Sequence, residues 1–371
     1  MADNGYTALT WRIAFASLQG MGVDLARKLL DVVGCEEQFF AMAEKDLRHL
    51  TRGRSKIYSD KYRSEVLQRA LKEEAFVREH GIAATYFTDK GYPHRLLEAP
   101  DAPAMIYTLG KCDLESAHVI SVVGTRHATQ YGIRFCETLI GDLAQRLPDL
   151  VVVSGLAYGI DIAAHRAALK HGVPTVAVLP RGLNHIYPAM HRNDAVAIAK
   201  HGGMLLTDYT SQDAVQKSNF LARNRIVAAL SDCTVIVESA GSGGALVTAS
   251  LAMSYNRDVM AVHGRCGDEF STGCTKLIAT NKAALITGAD DLMAAMRWES
   301  ARPIAQQLEL FPELTKEEQA VVDVIRDRGE IHLNALADAL NKPVYKLMSI
   351  LVELDCKKVI VTLPGCRYSL I

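Results

Sequence analysis

The sequence predicts an α/β fold: a doubly wound parallel sheet, with a helical module before it and a small helix-plus-hairpin module after it. Three observations carry this. Short continuous runs of Val and Ile alternate with Ala- and Leu-rich helical stretches from about residue 80 to 300. A helix-like tract precedes them. A polar, proline-bearing stretch then separates them from a last segment with helical spacing. At 371 residues the chain exceeds one ordinary core, which implies two or three domains. The divisions expected are 1–80 (helical), 81–298 (sheet core), 299–313 (linker) and 314–371 (helices and hairpin).

In the first of these, LQGMGVDLARKLLDVVG (Leu18 to Gly34) sets Gly20 and Gly22 between apolar runs. Val23, Ala26, Leu29, Leu30 and Val33 recur at helical spacing, so a helix, a tight turn and a second helix follow. A basic stretch, His49 to Arg63, comes next. It is either an accessory DNA surface or a solvated face.

Five runs read as buried strands: 118–124, 150–155, 175–180, 233–239 and 258–264. Continuous apolar strands alternating with helices imply a parallel sheet covered on both faces. Right-handed crossovers then wind it in two directions. Beyond the polar stretch 297–313, Thr315 followed by Glu318 forms a capping box for a helix. Two further helices and a hairpin turning at Pro364-Gly365 complete a winged-helix plan.

Composition excludes several classes. Hydrophobic residues make up 49% and charged residues 22%, as in a folded soluble protein. The formal net charge is -1, so any nucleic-acid site must be a local basic patch. None of the 8 cysteines forms a CxxC pair, which fits a reducing cytoplasm without disulfides or a zinc knuckle. The first residues lack a signal pattern, and no apolar run approaches the roughly 18 residues of a membrane span. His185, His191 and His263 are isolated, so no metal site is expected.

Chemistry concentrates where strands meet helices. The first strong strand ends in VVGTRHATQYG (122–132). Glycine at the carboxyl end of a parallel strand lets backbone amides approach a phosphate, which makes Gly124 and Thr125 candidates. Arg126 adds a fork of donors fitted to phosphate oxygens. The second strand ends in SGLAYGIDIAAH (154–165), where Ser154, Gly155 and Gly159 open the next helix. Two such turns on one sheet edge form an anion site at a switch point. Either turn alone equally serves a tight strand-to-helix connection. Neither matches the G-x-G-x-x-G or P-loop pattern, so no nucleotide cofactor is expected.

The stretch QKSNFLARNRIVAAL (216–230) contains Lys217, Arg223 and Arg225 and no acid, with Phe220 and Asn224 interleaved. Cations beside a ring suit single-stranded nucleic acid, where phosphates take the charges and a base stacks. The plainer alternative is a helix with Phe220 in the core. In VESAGSGGALVTASLAMSYN (237–256), the amides of Gly241, Gly243 and Gly244 form a further phosphate candidate, or else allow close helix packing. Asp161 and His165 lie four apart on one helical face. Without a nucleophile elbow nearby they read as structural, orienting the preceding turn, and no catalytic residue is assigned.

In order, these motifs resemble the DNA-processing protein A (DprA/Smf) family. GYPHRLLEAPDAPAMIYTLG, VVGTRHATQYG, SGLAYGIDIAAH, AVLPRGLNHIYP, FLARNRIVAAL and GALVTASLA follow in the family's order over about residues 85–290. The resemblance implies a Rossmann-like core, an N-terminal helix-hairpin-helix or SAM-like domain and a C-terminal winged helix. It implies a protein that binds single-stranded DNA and loads the RecA recombinase onto it in natural transformation. It also implies a homodimer through the Rossmann-like domain. The family's DNA pocket maps onto Arg126, Lys217 and Phe220, with Arg223 and Arg225 as neighbours. The chain departs from the family at Gly243 and Ala128, which removes side-chain donors but not backbone amides, and at His263, which stands where the family has proline.

Two alternatives differ in class. Nucleotide phosphoribohydrolases of the LOG group share the Rossmann-like core but carry a carboxylate on the helix after their glycine loop. Here Ala245 to Asn256 holds no acid. A transcription regulator would act through the winged helix. Residues 311–371 hold eight Lys/Arg against nine Asp/Glu, and the expected recognition helix offers only Lys342 and Lys346. Reading duplex DNA wants more positive charge, so an auxiliary or protein-contact role is expected.

Overall fold

Branched side chains fit a pleated surface buried on both faces, and the chain is extended where Val and Ile follow one another. The structure, a computed structural model, describes residues 6–265, 267–299, 314–357, 359–363 and 365–370. Among these, nine strands form one sheet: β1 (Ala83–Tyr86), β2 (Met105–Gly110), β3 (His118–Val123), β4 (Leu150–Ser154), β5 (Thr175–Val178), β6 (Met204–Thr207), β7 (Cys233–Ile236), β8 (Asp258–Val262) and β9 (Ala284–Ile286). Their spatial order is β1-β2-β6-β5-β4-β3-β7-β8-β9. All pairings from β6 to β9 are parallel. The parallel sheet read from the sequence is present and is extended at one edge by β2, antiparallel to β6, and β1, antiparallel to β2.

The helices before the sheet are α1 (Ala8–Ala16), α2 (Val23–Val33), α3 (Glu36–Ala41), α4 (Glu44–Thr51) and α5 (Asp60–Glu79). Those between and after the strands are α6 (His94–Leu97), α7 (Gln130–Arg146), α8 (Ile160–Lys170), α9 (Arg192–Lys200), α10 (Lys217–Ala229), α11 (Gly244–Ser254), α12 (Thr272–Ala279) and α13 (Ala289–Met296). Strand residues alternate between two cores. Ile120, Val122 and Val152 face Leu139, Ile140 and Ala164 of α7 and α8. Val119, Val151 and Val153 face the opposite layer with Ile226 and Ala249. Each fully buried Val or Ile contributes about 1.5–3 kcal/mol.

The chain separates into two compact units, Met1–Ala301 and Arg302–Ile371. Within the first, the N-terminal helices join the sheet layer: Glu73 of α5 accepts from the Ser211 amide at 2.9 Å, and Arg69 pairs with Asp213. The Gly20/Gly22 turn is also committed inward, since the Val23 amide donates to Ala102 and Gly22 bridges Pro103. Arg63, the last residue of the basic stretch, is buried and donates to the carbonyls of Phe39, Phe40 and Met42.

The second unit contains α14 (Lys316–Arg328), β10 (Ile331–His332), α15 (Leu333–Leu340), α16 (Val344–Cys356), β11 (Ile360–Leu363) and β12 (Arg367–Leu370). Its sheet order is β10-β12-β11. Val321, Ile325, Leu336, Leu347, Leu351 and Ile360 form its own core. The capping box forms as read: the Thr315 amide donates to Glu318 at 2.7 Å and the Glu318 amide to Thr315 at 3.3 Å. The expected linker, apart from Glu299, and Pro364 of the expected turn lie outside the described residues.

Candidate nucleic-acid interface

Successive crossovers from β3 carry the chain through β4 and β5 to β6, whereas β7 carries it the other way to β8 and β9. β3 and β7 are therefore the switch point, where the following connections diverge and leave a crevice at the carboxyl ends of the strands. A cleft of about 570 Å³ lies there. Its walls are Gly124, Thr125 and Arg126 after β3, Lys217, Phe220, Leu221 and Asn224 of α10, and Ser242, Gly243 and Gly244 at the start of α11. Lys217, Phe220, Leu221 and Asn224 follow the i, i+3, i+4, i+7 rule of one helical face, which explains why α10 presents them together.

Arg126 and Lys217 are both exposed, and neither is ion-paired with an acid among the described residues. The Arg126 guanidinium lies 5.7 Å from the Phe220 ring centroid, a cation–π distance. Asn224 donates to the Gly244 carbonyl at 3.3 Å, tying α10 to the start of α11. Gly243 is the N-cap of α11 and no side chain caps it, so first-turn amides of this helix face the cleft.

Not every candidate residue reaches the cleft as a free donor. Arg223 lines its base but is only 4% exposed. Its guanidinium donates to the carbonyls of Gly155 and Val178, and its Nε to Asn224 at 3.1 Å. Arg225, two positions further along α10, points elsewhere: it pairs with Asp208 and donates to the Asp101 carbonyl. The Thr125 amide donates to Glu238 within the sheet edge at 2.7 Å.

The second turn is closed from within. Ser154 is buried and its hydroxyl donates to Val122 at 2.7 Å. The amides of Gly155 and Ala157 donate to the Asp161 carboxylate, Ala157 at 3.4 Å. Burial pushes that carboxyl up, while Arg223 and these amides pull it back down. Where the sequence places an external anion on Ser154 and Gly155, the turn's amides are taken by the chain's own Asp161 carboxyl. A Cβ on Gly155 would meet the Arg223 guanidinium at 2.1 Å, so glycine is required by close approach. Leu156 adopts φ 58, an unusual value for a non-glycine residue, and its carbonyl accepts from His191 Nδ1 at 2.9 Å.

Asp161 and His165 do not bond to one another. Thr175 donates its hydroxyl proton to Val152 and accepts from His165 Nδ1 at 2.7 Å. His165 Nε2 is buried without a partner among the described residues. Burial drives this imidazole down to about 3, and the charge of Arg223 adds to the shift. Glu238 caps the start of α7, accepting from the Thr129 amide at 2.9 Å and hydroxyl at 2.5 Å. Among the described residues no group of three or more His, Cys, Asp or Glu could hold a metal, and no helix is long and apolar enough to cross a membrane.

Two cleft residues escaped the sequence reading. Tyr187 is 42% exposed, lines the cleft and meets the Phe220 ring at 5.2 Å and 73°. His127 lies beside Phe270 at 6.1 Å. Tyr187 sits in an irregular loop, so no periodicity marks it. Its only signal was its place at the carboxyl edge between β5 and α9.

A doubly wound core with a cationic, aromatic-lined cleft at its switch point defines a Rossmann-like binding protein. The chain belongs to the family described as DNA recombination-mediator protein A, which it matches over residues 83–297. It is 37% identical to DNA processing protein DprA of Streptococcus pneumoniae over 206 residues, 56% of this chain and 71% of the relative. It is 31% identical to protein Smf of Synechocystis over 295 residues, 76% and 71% of the two chains. Among solved structures, DNA processing protein A from Streptococcus pneumoniae aligns with TM-score 0.63 at 29% identity, covering 78% of this chain and 98% of the other. DNA processing protein A from Helicobacter pylori, described for its single-stranded DNA binding mode, aligns with TM-score 0.51 at 28% identity, covering 58% and 95%.

Proposed function

We propose that this chain is a cytoplasmic recombination mediator that binds single-stranded DNA in the switch-point cleft and loads the RecA recombinase onto it in natural transformation. The observation that carries the binding reading is the pair of unneutralised cations, Arg126 and Lys217, facing one cleft with an aromatic ring between β3 and α10. Phosphates take Arg126, Lys217 and the first amides of α11 at Gly243 and Gly244; bases meet the apolar wall. Family membership and the relative described for single-stranded DNA binding support the same reading. The RecA and transformation roles rest on the family resemblance.

The reading is of a binding protein without catalysis. Glu238 is engaged as a cap, and α11 carries no acid from Gly244 to Ser254. Nucleoside monophosphates incubated with the chain should release no base. Turnover lost on Glu238→Ala would instead establish the phosphoribohydrolase alternative. We also propose a homodimer through the Rossmann-like domain, supported by the free sides of outer strands β1 and β9 among the described residues, and testable by sedimentation.

We read the last unit as a winged helix with a protein-contact role, and residues 6–79 as a helix-hairpin-helix or SAM-like module. Lys342 pairs with Glu317 at 2.9 Å, and Tyr345, Met348 and Val352 of α16 are exposed. An apolar, charge-poor helix face suits a protein better than a phosphate backbone. The decisive test is a gel-shift competition between single-stranded and duplex DNA at several salt concentrations. Preference for the single strand, weakened by salt, is expected; equal or stronger competition by duplex refutes the reading.

A further inference from the structure

Helix α9 packs over β2, β5 and β6, toward the β1 edge of the sheet and away from the switch point. A second groove, of about 590 Å³, runs along its flank. Arg192, Ala195, Val196, Ala199 and Lys200 follow the i, i+3, i+4, i+7, i+8 spacing of one helical face, and all five line it. Strands β2 and β6 supply Leu109 and Leu205, and the loop after β5 supplies Leu183, His185 and Ile186. The two alanines leave the space that larger side chains would fill.

The charge of this groove is one-sided. No acid lines it, whereas Arg192, Lys200 and His185 do, all exposed and none in an ion pair among the described residues. The single acid of α9, Asp194, is held elsewhere by Arg166 of α8 at 2.9 and 3.0 Å. Arg192 and Lys200 are the two ends of α9, about 12 Å apart along its axis. Apolar surface lies between them, with Val196 45% exposed. A face that only filled a core would not set a bare cation at each end.

That layout discriminates between ligands. A fatty acyl chain brings one anionic head and leaves one cation unmatched. A polynucleotide brings phosphates but nothing that prefers an aliphatic floor. An extended peptide covers about 12 Å in about four residues and turns alternate side chains the same way. Acids at both ends of such a stretch, with an apolar side chain midway, meet both cations and the floor together.

We propose that this groove docks an acidic peptide segment of a partner protein, its carboxylates on Arg192 and Lys200 and an apolar anchor over Val196 and Leu205. The loop that lines it at His185 and Ile186 continues at Tyr187 into the switch-point cleft, so the docked segment lies next to whatever that cleft holds. Docking here does not depend on what the cleft binds.

The test uses the full chain and fluorescein-labelled nonapeptides, read by anisotropy. The probe carries two Glu four places apart, Phe midway and Ser elsewhere. One control replaces both Glu by Gln, and another replaces Phe by Ser. The wild-type chain should bind the probe at least roughly tenfold more tightly than either control. Arg192→Glu combined with Lys200→Glu should weaken the probe by a similar factor and should favour a peptide with Lys at the two acidic places, a gain that misfolding cannot produce. Val196→Asp should weaken the probe as well, and Arg126→Ala should leave it unchanged.

If the probe binds no better than both controls, or if the double reversal leaves it bound as before, no acidic segment docks here. Displacement of the probe by dodecanoate would make the groove a lipid-anion site. Displacement by a single-stranded oligonucleotide in the Arg126→Ala chain would make it a nucleic-acid surface. A changed sedimentation coefficient of the double variant without peptide would make it a contact between copies. Each of these three results overturns the peptide assignment.

Discussion

Arg126 and Lys217 have no ion-pair partner among the described residues, unlike Arg223 and Arg225 of α10, which are engaged by the chain itself, so their fields are available to a polyanion. Each phosphate contact to a single strand contributes about 0.7 to the slope of log affinity against log salt. Arg126→Ala should therefore lower both affinity and slope, and Lys217→Glu should lower them further by adding repulsion. A fluorescence-anisotropy salt series measures both; an unchanged slope in both variants would rule these residues out as phosphate contacts. His165 gives a separate residue-scale expectation. Its folded-state value is depressed from 6.5 to about 3, so the unfolded chain takes a proton that the folded chain refuses. The associated stability is present above about pH 6.5 and is lost as pH falls toward 3. Between pH 7 and pH 5 this amounts to about 2 kcal/mol. Urea denaturation at the two pH values should show that loss in the wild-type chain and a smaller one in His165→Asn, whose amide can still donate to Thr175.

At the scale of elements, α10 does two jobs on two faces. Its cleft face bears Lys217, Phe220 and Asn224; underneath, Arg223 ties the ends of β4 and β5 together. Truncating a buried cation leaves its partners unpaired at a cost of about 3–5 kcal/mol. Arg223→Ala should lose stability of that order in thermal or urea melts, and Asp161→Asn in the same chain should restore part of it. The helical spacing made the shared face legible in the sequence. The separation of Arg223 from Arg225 was legible too, since residues two apart cannot face one way. Acid-free composition grouped them regardless, and half-buried Asp208 then explains where Arg225 goes. The five strands read from sequence are those with sustained branched runs. β1, β2, β6 and β9 were not, because three to six residues of mixed type such as Ala83–Tyr86 or Ala284–Ile286 lack a distinguishing period. Which glycine turn stays open depends on Asp161 folding back from α8, a contact that spacing alone does not specify.

For the molecule as a whole, the separation into two compact units implies separable work. The cleft lies entirely within the first, so a chain ending before residue 302 should bind single-stranded DNA with affinity close to that of the full chain. A large loss on that truncation, measured by anisotropy, would contradict a cleft-centred grip. On the proposed protein-contact role of the second unit, where Tyr345, Met348 and Val352 are exposed, the truncated chain should lose that contact while keeping DNA.

The carboxylate that folds back onto the Gly155 and Ala157 amides has one more consequence. An anion approaching the carboxyl edge of the sheet meets two glycine turns side by side, one after β3 and one after β4. Here one of those seats is held by a tethered competitor, whose effective concentration reaches at least the millimolar order. The fold thus steers an incoming anion to the open turn after β3 and away from the turn after β4, which is already occupied.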